Sequence, residues 1–417
     1  MDYYKNSFPA NEVFRLATVN SESRPENVEI VSVTADGIWK RYNSIRDPAE
    51  LRKLATQTAG GTIHLGPKYT EAAFRARGKG TIEGKTLAFD LDLQDIAFLR
   101  VLKNDQESND RFTRLVFGHA HVLREIMFEV FGFEHFLPVF SGGRGVHLWV
   151  LDNRASNLTA EARKAIVAMI QPAKSKNDPR LFDARSIRSH PSFTANQVSY
   201  AMEEVFRKIL IAPFSEGGIG LLDSRMDVEN FLDSFFEEKA VDYGAESSKY
   251  YEVSRDCELL MRRELKAQRV VGPQAFFALR TVIETNSTAS SGSKATPMQV
   301  EFQKLLHRLD DVVFTLCWPI LDAGPTASMQ HPIKLPFSLH KSGRISTPVA
   351  HLLPNSSRLQ ALPPIVYANR LDDDPDNRII FKTAIETIRA AVNRIYHFET
   401  TDLEDLVSSI SKVPRFL

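Results

Sequence analysis

The sequence predicts an α+β protein in which strand-rich segments toward both ends of the chain enclose a helical insertion. Three observations carry this. Strand-like and helix-like segments alternate over the first 150 residues, apolar residues recur at helical spacing from about Thr159 to Thr285, and Pro332 to Pro348 returns to extended, turn-rich sequence. A chain of 417 residues, 43% hydrophobic and 25% charged, is long enough for two or three structural units around a large core.

Taken in order, Val28 to Thr34 reads as a strand, Asp36-Gly37 as a turn and Ile38 to Asn43 as the return strand of a hairpin. Thr62 to Leu65 and Thr86 to Leu93 add strands. Between Arg111 and Phe133 the positions Leu115, Val116, Val122, Ile126, Met127 and Val130 predict a helix packed on the sheet. Phe136 to Phe140 and Val146 to Val150 are apolar strands joined by the glycine turn Ser141-Gly-Gly-Arg-Gly. Ala160 to Ile170 and Val198 to Ile211 are amphipathic helices of the insertion. Asn286 to Pro297 lacks periodicity and predicts a flexible Ser/Thr-rich loop, after which Gln299 to Leu309 is helical. The acidic run Asp372 to Asp376 reads as the solvated start of a helix whose apolar stripe is Ala384, Ile385, Ile388, Val392 and Ile395.

Lys and Arg together number 52, as do Asp and Glu, so there is no global basic bias and any polyanion must be held by a local patch. Cys257 and Cys317 form neither a disulfide framework nor a CxxC zinc knuckle, which fits a reducing compartment. No segment has the apolar length of a membrane span, and Met1 to Pro9 lacks the core of a signal peptide. A soluble, intracellular protein is expected.

Three constellations carry chemistry. In Leu87 to Asp95, strand alternation puts Leu87, Phe89, Leu91 and Leu93 on the buried side and Asp90 with Asp92 on the other. Two carboxylates on one face repel unless a cation lies between them, so the pair is either a Mg²⁺ or Mn²⁺ site or the polar face of an edge strand. In Ser141 to His147, glycines free successive N–H groups to point at one anion, and Arg144 supplies a planar fork for phosphate oxygens. His147 is out of phase with Val146, Leu148 and Val150 and shares a face with Trp149. The third constellation joins Cys317 to Asp322 with Lys334 to Ser346. Asp322 is a candidate third metal ligand and Lys334 and His340 are candidate phosphate contacts, against the alternative of a plain surface loop.

The stretches FDLDLQD, SGGRGVHLWV and CWPILD followed by KLPFSLHKSGRIS, in this order, resemble the three motifs of the catalytic small subunit of archaeal and eukaryotic DNA primases. The opening MDYYKNSFP and the hairpin return IWKRYNS resemble that subunit's N-terminal segment. The resemblance implies a mixed-sheet catalytic core made discontinuously from residues 1–190 and 300–417, with 191–299 as the helical insertion. It implies that Asp90, Asp92 and Asp322 are the metal-binding catalytic carboxylates. Arg41, Ser141, Arg144, His147, Lys334 and His340 match residues that contact the incoming nucleotide. Two departures stand out. Gly143 occupies a position where the family usually has arginine, and no cysteine lies between Arg100 and Gly118, where the family usually has a zinc knuckle. His119 and His121, at i and i+2 on a helix, diverge and do not replace it, so cysteine-bound zinc is not expected.

The implied activity is a DNA-dependent RNA polymerase, a nucleotidyltransferase that makes short primers on single-stranded DNA from NTPs with two divalent ions, Mg²⁺ or Mn²⁺. The implied partners are the iron–sulfur large subunit of a heterodimeric primase and the replicative DNA polymerase. The implied location is the nucleus in a cellular eukaryote, and otherwise the cytoplasm or a viral replication site. A single-chain primase–polymerase using dNTPs would share the motifs, and an inactive nucleic-acid-binding scaffold is the alternative from another class. Trp39 and Tyr42 are placed either to stack on bases or to pack.

Overall fold

The computed structural model describes every residue except 1–2, 22–23, 78, 101–105, 177, 195, 238–246, 289–293, 351–363 and 412–417. The strands are β1 (Val28–Val33), β2 (Trp39–Asn43), β3 (Thr62–Tyr69), β4 (Ile82–Gly84), β5 (Leu87–Asp92), β6 (Phe136–Phe140), β7 (Gly145–Val150), β8 (Ile333–Lys334) and β9 (Thr347–Pro348). Helices of the first half are α1 (Tyr3–Asn6), α2 (Ala10–Ala17), α3 (Pro48–Thr56), α4 (Ala73–Ala76), α5 (Gln106–Glu129), α6 (Asn153–Ser156) and α7 (Ala160–Ile170). Then follow α8 (Ala184–Arg188), α9 (Asn196–Val205), α10 (Arg225–Phe236), α11 (Ser247–Gln268), α12 (Pro273–Ser287), α13 (Pro297–Cys317), α14 (Ala323–Ala327) and α15 (Pro375–Ser411).

The α+β class is borne out, and the mixed sheet expected for it resolves into two antiparallel sheets. One has the order β2-β1-β3-β4 with β8 also on β3, and the other the order β5-β7-β6-β9. Every strand pair among the described residues is antiparallel. Short returns account for two of these pairs, because the β1–β2 and β6–β7 connections are hairpins and need no crossover helix. Gly37 closes the first with φ +87° and Gly142 the second with φ +82°, values that cost a side-chain-bearing residue strain.

The second sheet is buried on both faces. Leu87, Phe89 and Leu91 of β5 and Val146, Leu148 and Val150 of β7 pack into a large core with α5, α7 and α9 to α13. Ala88, Leu137, Val139 and Trp149, on the opposite face, pack into a second core with Ile30, Ile63 and Leu65 of the first sheet and Ala384, Ile388 and Val392 of α15. The helices of the insertion therefore cover one face of the second sheet, while the first sheet and α15 cover the other.

Helix boundaries follow their caps. Thr296 accepts from the Gln299 amide while the Gln299 side chain accepts from the Thr296 amide, a reciprocal box that starts α13, which runs on to Cys317, well past Leu309. Asp374 caps α15 by accepting from the Asp376 and Asn377 amides at 3.0 and 3.1 Å, as expected of that acidic run. Of the loop expected over 286–297, Asn286 and Ser287 end α12, and 289–293 lie outside the described residues.

Candidate active site

The alternation of β5 places its residues as expected: Leu87, Phe89, Leu91 and Leu93 are fully buried, and Asp90 and Asp92 are half-buried on the face turned toward the first sheet. β5 is an edge strand, and its edge is met by the turn carrying Asp322, whose amide donates to the Asp90 carbonyl at 3.0 Å. Asp90 and Asp322 thus face each other as an isolated antiparallel bridge. Residues separated by more than two hundred positions deliver three carboxylates to one strand edge.

Their surroundings are cationic. Arg144 Nε donates to Asp92 Oδ1 at 2.9 Å, and the Gln94 amide donates to the same oxygen at 2.8 Å. His147, opposite Asp90 in the β5–β7 register, brings Nε2 to 3.6 Å from Asp90 Oδ1. Asp322 Oδ1 caps α14 by accepting from the Gly324 amide at 2.9 Å, and a side chain at Gly324 would also lie near His331. Lys334 enters from the first sheet, paired with His64 on β3, and donates from Nζ to the Ser141 carbonyl at 3.3 Å.

Charge accounting favours a cation here. Burial, then Asp92 and then Asp322 push the Asp90 carboxyl up to about 6, against a smaller opposite pull from Lys334 and His331. Negative charge at this edge therefore exceeds what the nearby cations offset. The donor set is three aspartates, the hard oxygen ligands that suit Mg²⁺ and Mn²⁺. Among the described residues no three His, Cys, Asp or Glu side chains are gathered tightly enough to form a metal cage on their own. Asp92 and Asp322 are spent partly on Arg144 and on backbone amides, which is how repelling carboxylates settle between protein donors alone.

The glycine turn is built around Ser141. Its Oγ accepts from the Gly143 and Gly145 amides, both at 3.3 Å, which leaves the hydroxyl proton for an anion. His340 lies against this turn: its Nδ1 accepts from the Ser342 amide at 3.2 Å, which makes Nε2 the ring's N–H, and a Cβ at Gly143 would be 3.0 Å from that Nε2. An arginine there would crowd His340, so the absent cation and this histidine share one space. Neither histidine is a ready cation. Burial and Lys334 hold His147 down to about 3, with a smaller upward pull from Asp92. Burial, Lys334, Lys341, Arg344 and Arg144 hold His340 down to about 4. Near neutral pH both are hydrogen-bonding groups, and Lys334 and Arg144 carry the charge.

Arg41 is placed differently from the other candidates. Its Nε and Nη2 form a two-pronged pair with Glu29 at 2.9 Å each, and Nη2 also donates to the Gln330 carbonyl at 3.1 Å. It joins the site through the 330–334 segment and its contacts do not include the three aspartates. Glu29, absent from the expected set, is fully buried and also accepts from the Tyr42 amide at 2.9 Å and the Tyr69 hydroxyl at 3.3 Å. His64 and His331 were likewise not expected. The signal for Glu29 was a lone acid within an apolar strand whose hairpin partner carries an arginine. Trp39 is 56% exposed and lies 5.3 Å from the His64 ring, whereas Tyr42 is half-buried beside Tyr69. His119 and His121 do diverge: His119 bonds the Leu316 carbonyl and His121 faces Glu204.

A family model described as DNA primase small subunit matches residues 89–350 of this chain. The chain is 23% identical over 358 residues to the DNA primase small subunit of Saccharomyces cerevisiae, a match covering 83% of this chain and 80% of that one. It is 24% identical over 359 residues to the DNA primase small subunit of Drosophila melanogaster, covering 83% and 75%. A shorter match, 29% identical over 178 residues, joins it to the DNA primase small subunit PriS of Thermococcus onnurineus, covering 41% of this chain and 48% of that one.

Proposed function

Since this chain belongs to the DNA primase small-subunit family, whose members are nucleotidyltransferases, we propose that it is a catalytic subunit that joins ribonucleotides into short primers on single-stranded DNA. The observation that carries the reading is the backbone bridge that brings Asp322 beside Asp90, opposite Lys334 and the Ser141 turn.

Asp90, Asp92 and Asp322 would hold Mg²⁺ or Mn²⁺. When bound, the metal supplies Lewis-acid stabilisation of charge on the attacking 3′-oxygen and the pyrophosphate leaving group. Lys334 and Arg144 supply fixed positive charge for the β- and γ-phosphates, and the Ser141 hydroxyl and His340 Nε2–H donate hydrogen bonds to their oxygens. Arg144 is paired with Asp92 in the free protein, so its turn toward a triphosphate requires that Asp92 find another positive partner. His147, neutral and buried on β7, stands 3.6 Å from Asp90 and adds no charge to the site. Arg41, held by Glu29 and bonded to the Gln330 carbonyl, would reach the nucleotide through the 330–334 segment.

The small subunit works with a large subunit and a DNA template. In this reading any iron–sulfur cluster belongs to the large subunit, since Cys257 and Cys317 are both buried free thiols, and the replicative polymerase extends the primer.

The test is a primer assay on unprimed single-stranded DNA with either metal and with NTPs or dNTPs side by side. Asp90→Ala with Asp92→Ala is expected to abolish incorporation while the circular dichroism spectrum is unchanged. Substantial synthesis by the double variant would sink the assignment. A preference for dNTPs would replace it with the primase–polymerase reading.

A further inference from the structure

Asp322 is the only one of the three carboxylates that β5 does not itself carry, so its position depends on whatever holds its turn. That turn is fastened to the β5 end of the sheet at three points. The Asp322 amide donates to the Asp90 carbonyl at 3.0 Å, and the Thr326 hydroxyl, fully buried, donates to the Ala88 carbonyl at 2.9 Å. The third point is Lys85. Its side chain is 3% exposed, and Nζ donates to the carbonyls of Pro325 at 2.6 Å and Ser328 at 2.7 Å, at the far end of the short helix that Asp322 caps.

Lys85 is itself anchored. Its amide donates to the Ser156 carbonyl at 2.9 Å, and its carbonyl accepts from Nη2 of Arg163, a fully buried residue of α7. Arg163 also donates to the carbonyls of Leu158, Ala155 and Ser156 at 3.1, 3.2 and 3.3 Å. Two buried cations thus stand side by side, bonded to backbone carbonyls. Burial and then the repulsion from Arg163 push the Lys85 ammonium down to about 7. An amine still has two N–H bonds for two carbonyls, so the anchoring persists in either protonation state. After burial, the charges that act most on Asp90 are Asp92, Asp322, Lys334 and His331. Lys85 reaches the site through the turn it holds.

We propose that Lys85 is a positioning residue for the third carboxylate: by tying the Pro325 and Ser328 carbonyls to the anchored start of β5, it sets where Asp322 stands relative to Asp90 and Asp92, and with that the affinity of the site for a divalent cation. The proposal rests on the reading that these aspartates bind metal. Partners that orient metal ligands typically contribute about 10–100-fold in affinity.

The experiment is Mn²⁺ binding to the full chain without nucleotide, followed by the electron paramagnetic resonance of free Mn²⁺, for the unaltered protein, Lys85→Met and Asp322→Asn. Both variants are expected to bind Mn²⁺ about tenfold or more weakly. In primer assays Lys85→Met is expected to lose kcat, with the nucleotide KM little changed and activity partly regained at high Mn²⁺. A merely structural role would lower Tm and leave the Mn²⁺ affinity of the folded protein alone. Weakened binding by Asp322→Asn with unaltered binding by Lys85→Met overturns the proposal and leaves the metal reading standing. Unaltered binding by Asp322→Asn, or no binding by the unaltered protein, overturns the metal reading itself. If Lys85→Met does not fold, Thr326→Val takes its place, removing one hydroxyl bond from the same turn. A roughly threefold weakening is then expected, and unchanged Mn²⁺ affinity overturns the proposal.

Discussion

Glu29 is a carboxylate with no exposed surface, and four donors converge on it: both prongs of Arg41, the Tyr42 amide and the Tyr69 hydroxyl. Tyr42 reaches it only because its φ is +62°, a left-handed conformation uncommon for an aromatic residue. Replacing Glu29 by Gln keeps the shape and leaves the Arg41 guanidinium without its counter-charge. Stability is expected to fall by about 2 kcal/mol in urea denaturation, and nucleotide KM to rise several-fold as Arg41 loses its orientation. An unchanged KM would remove Arg41 from the nucleotide site. His340 gives a second test. Its pKa of about 4 reflects burial and four neighbouring cations, so a bound triphosphate, as an anion, must raise it. Following the His340 ring carbons by NMR as pH is lowered, with and without nucleotide, is expected to show an upward shift of at least one unit; no shift would place the triphosphate elsewhere. The aspartate pair was legible from strand alternation alone. Glu29 was legible only in part: an acid facing an arginine across the hairpin is a local signal, but its full burial depends on neighbours from other strands.

Those neighbours are made by two irregular strand pairings. Between Ile30 and Ser32 of β1, β2 passes from Asn43 to Lys40, one residue more than regular pairing needs. Between Val28 and Ile30, β3 passes from Lys68 to Leu65, again with one extra. Glu29 lies opposite the second of these bulges, and Gly66 within it leaves Glu29 room, since a Cβ there would lie 2.6 Å from Glu29 Oε2. Hairpins were legible as elements because Asp36-Gly37 and the Ser141 turn are local signals. Bulges and the pairing of β8 on β3 were not, since a bulge is a matter of register between strands and β8 lies far along the chain from β3. On the other sheet the tight point is Gly145, opposite Asp92, where a Cβ would lie 2.8 Å from the Leu91 carbonyl oxygen. Backbone atoms cannot swing aside as a flexible side chain can. Gly145→Ala is therefore expected to part β7 from the end of β5 and lower stability by about 1–3 kcal/mol. A thermal melt that matched the unaltered protein would show that the strand end yields freely.

Across the whole molecule the two cores meet at one sheet, and the described helices of 191–299 connect to the site through that sheet, through α5 and through α13. His119 is a load point in this arrangement. It lies on α5, is 1% exposed, and bonds the Leu316 carbonyl at 2.9 Å, near the end of α13 and six residues before Asp322. Such a link between distant helices cannot be read from either helix alone, where His119 only interrupts an apolar stripe. Burial holds its pKa down to about 4, against a smaller upward pull from that hydrogen bond. A free histidine titrates near 6.5. The unfolded chain therefore takes up the proton first, so the stability tied to neutral His119 is fully present above about pH 6.5 and is lost as pH falls toward 4. By pH 5 that loss is about 2 kcal/mol for this one residue. His119→Gln keeps an N–H for the Leu316 carbonyl and removes the titration. Urea denaturation at pH 7 and pH 5 is expected to show a fall in stability smaller by about 2 kcal/mol in the variant than in the unaltered protein. The same fall in both would mean that acid opens the molecule elsewhere and that α5 and α13 are not coupled through this histidine.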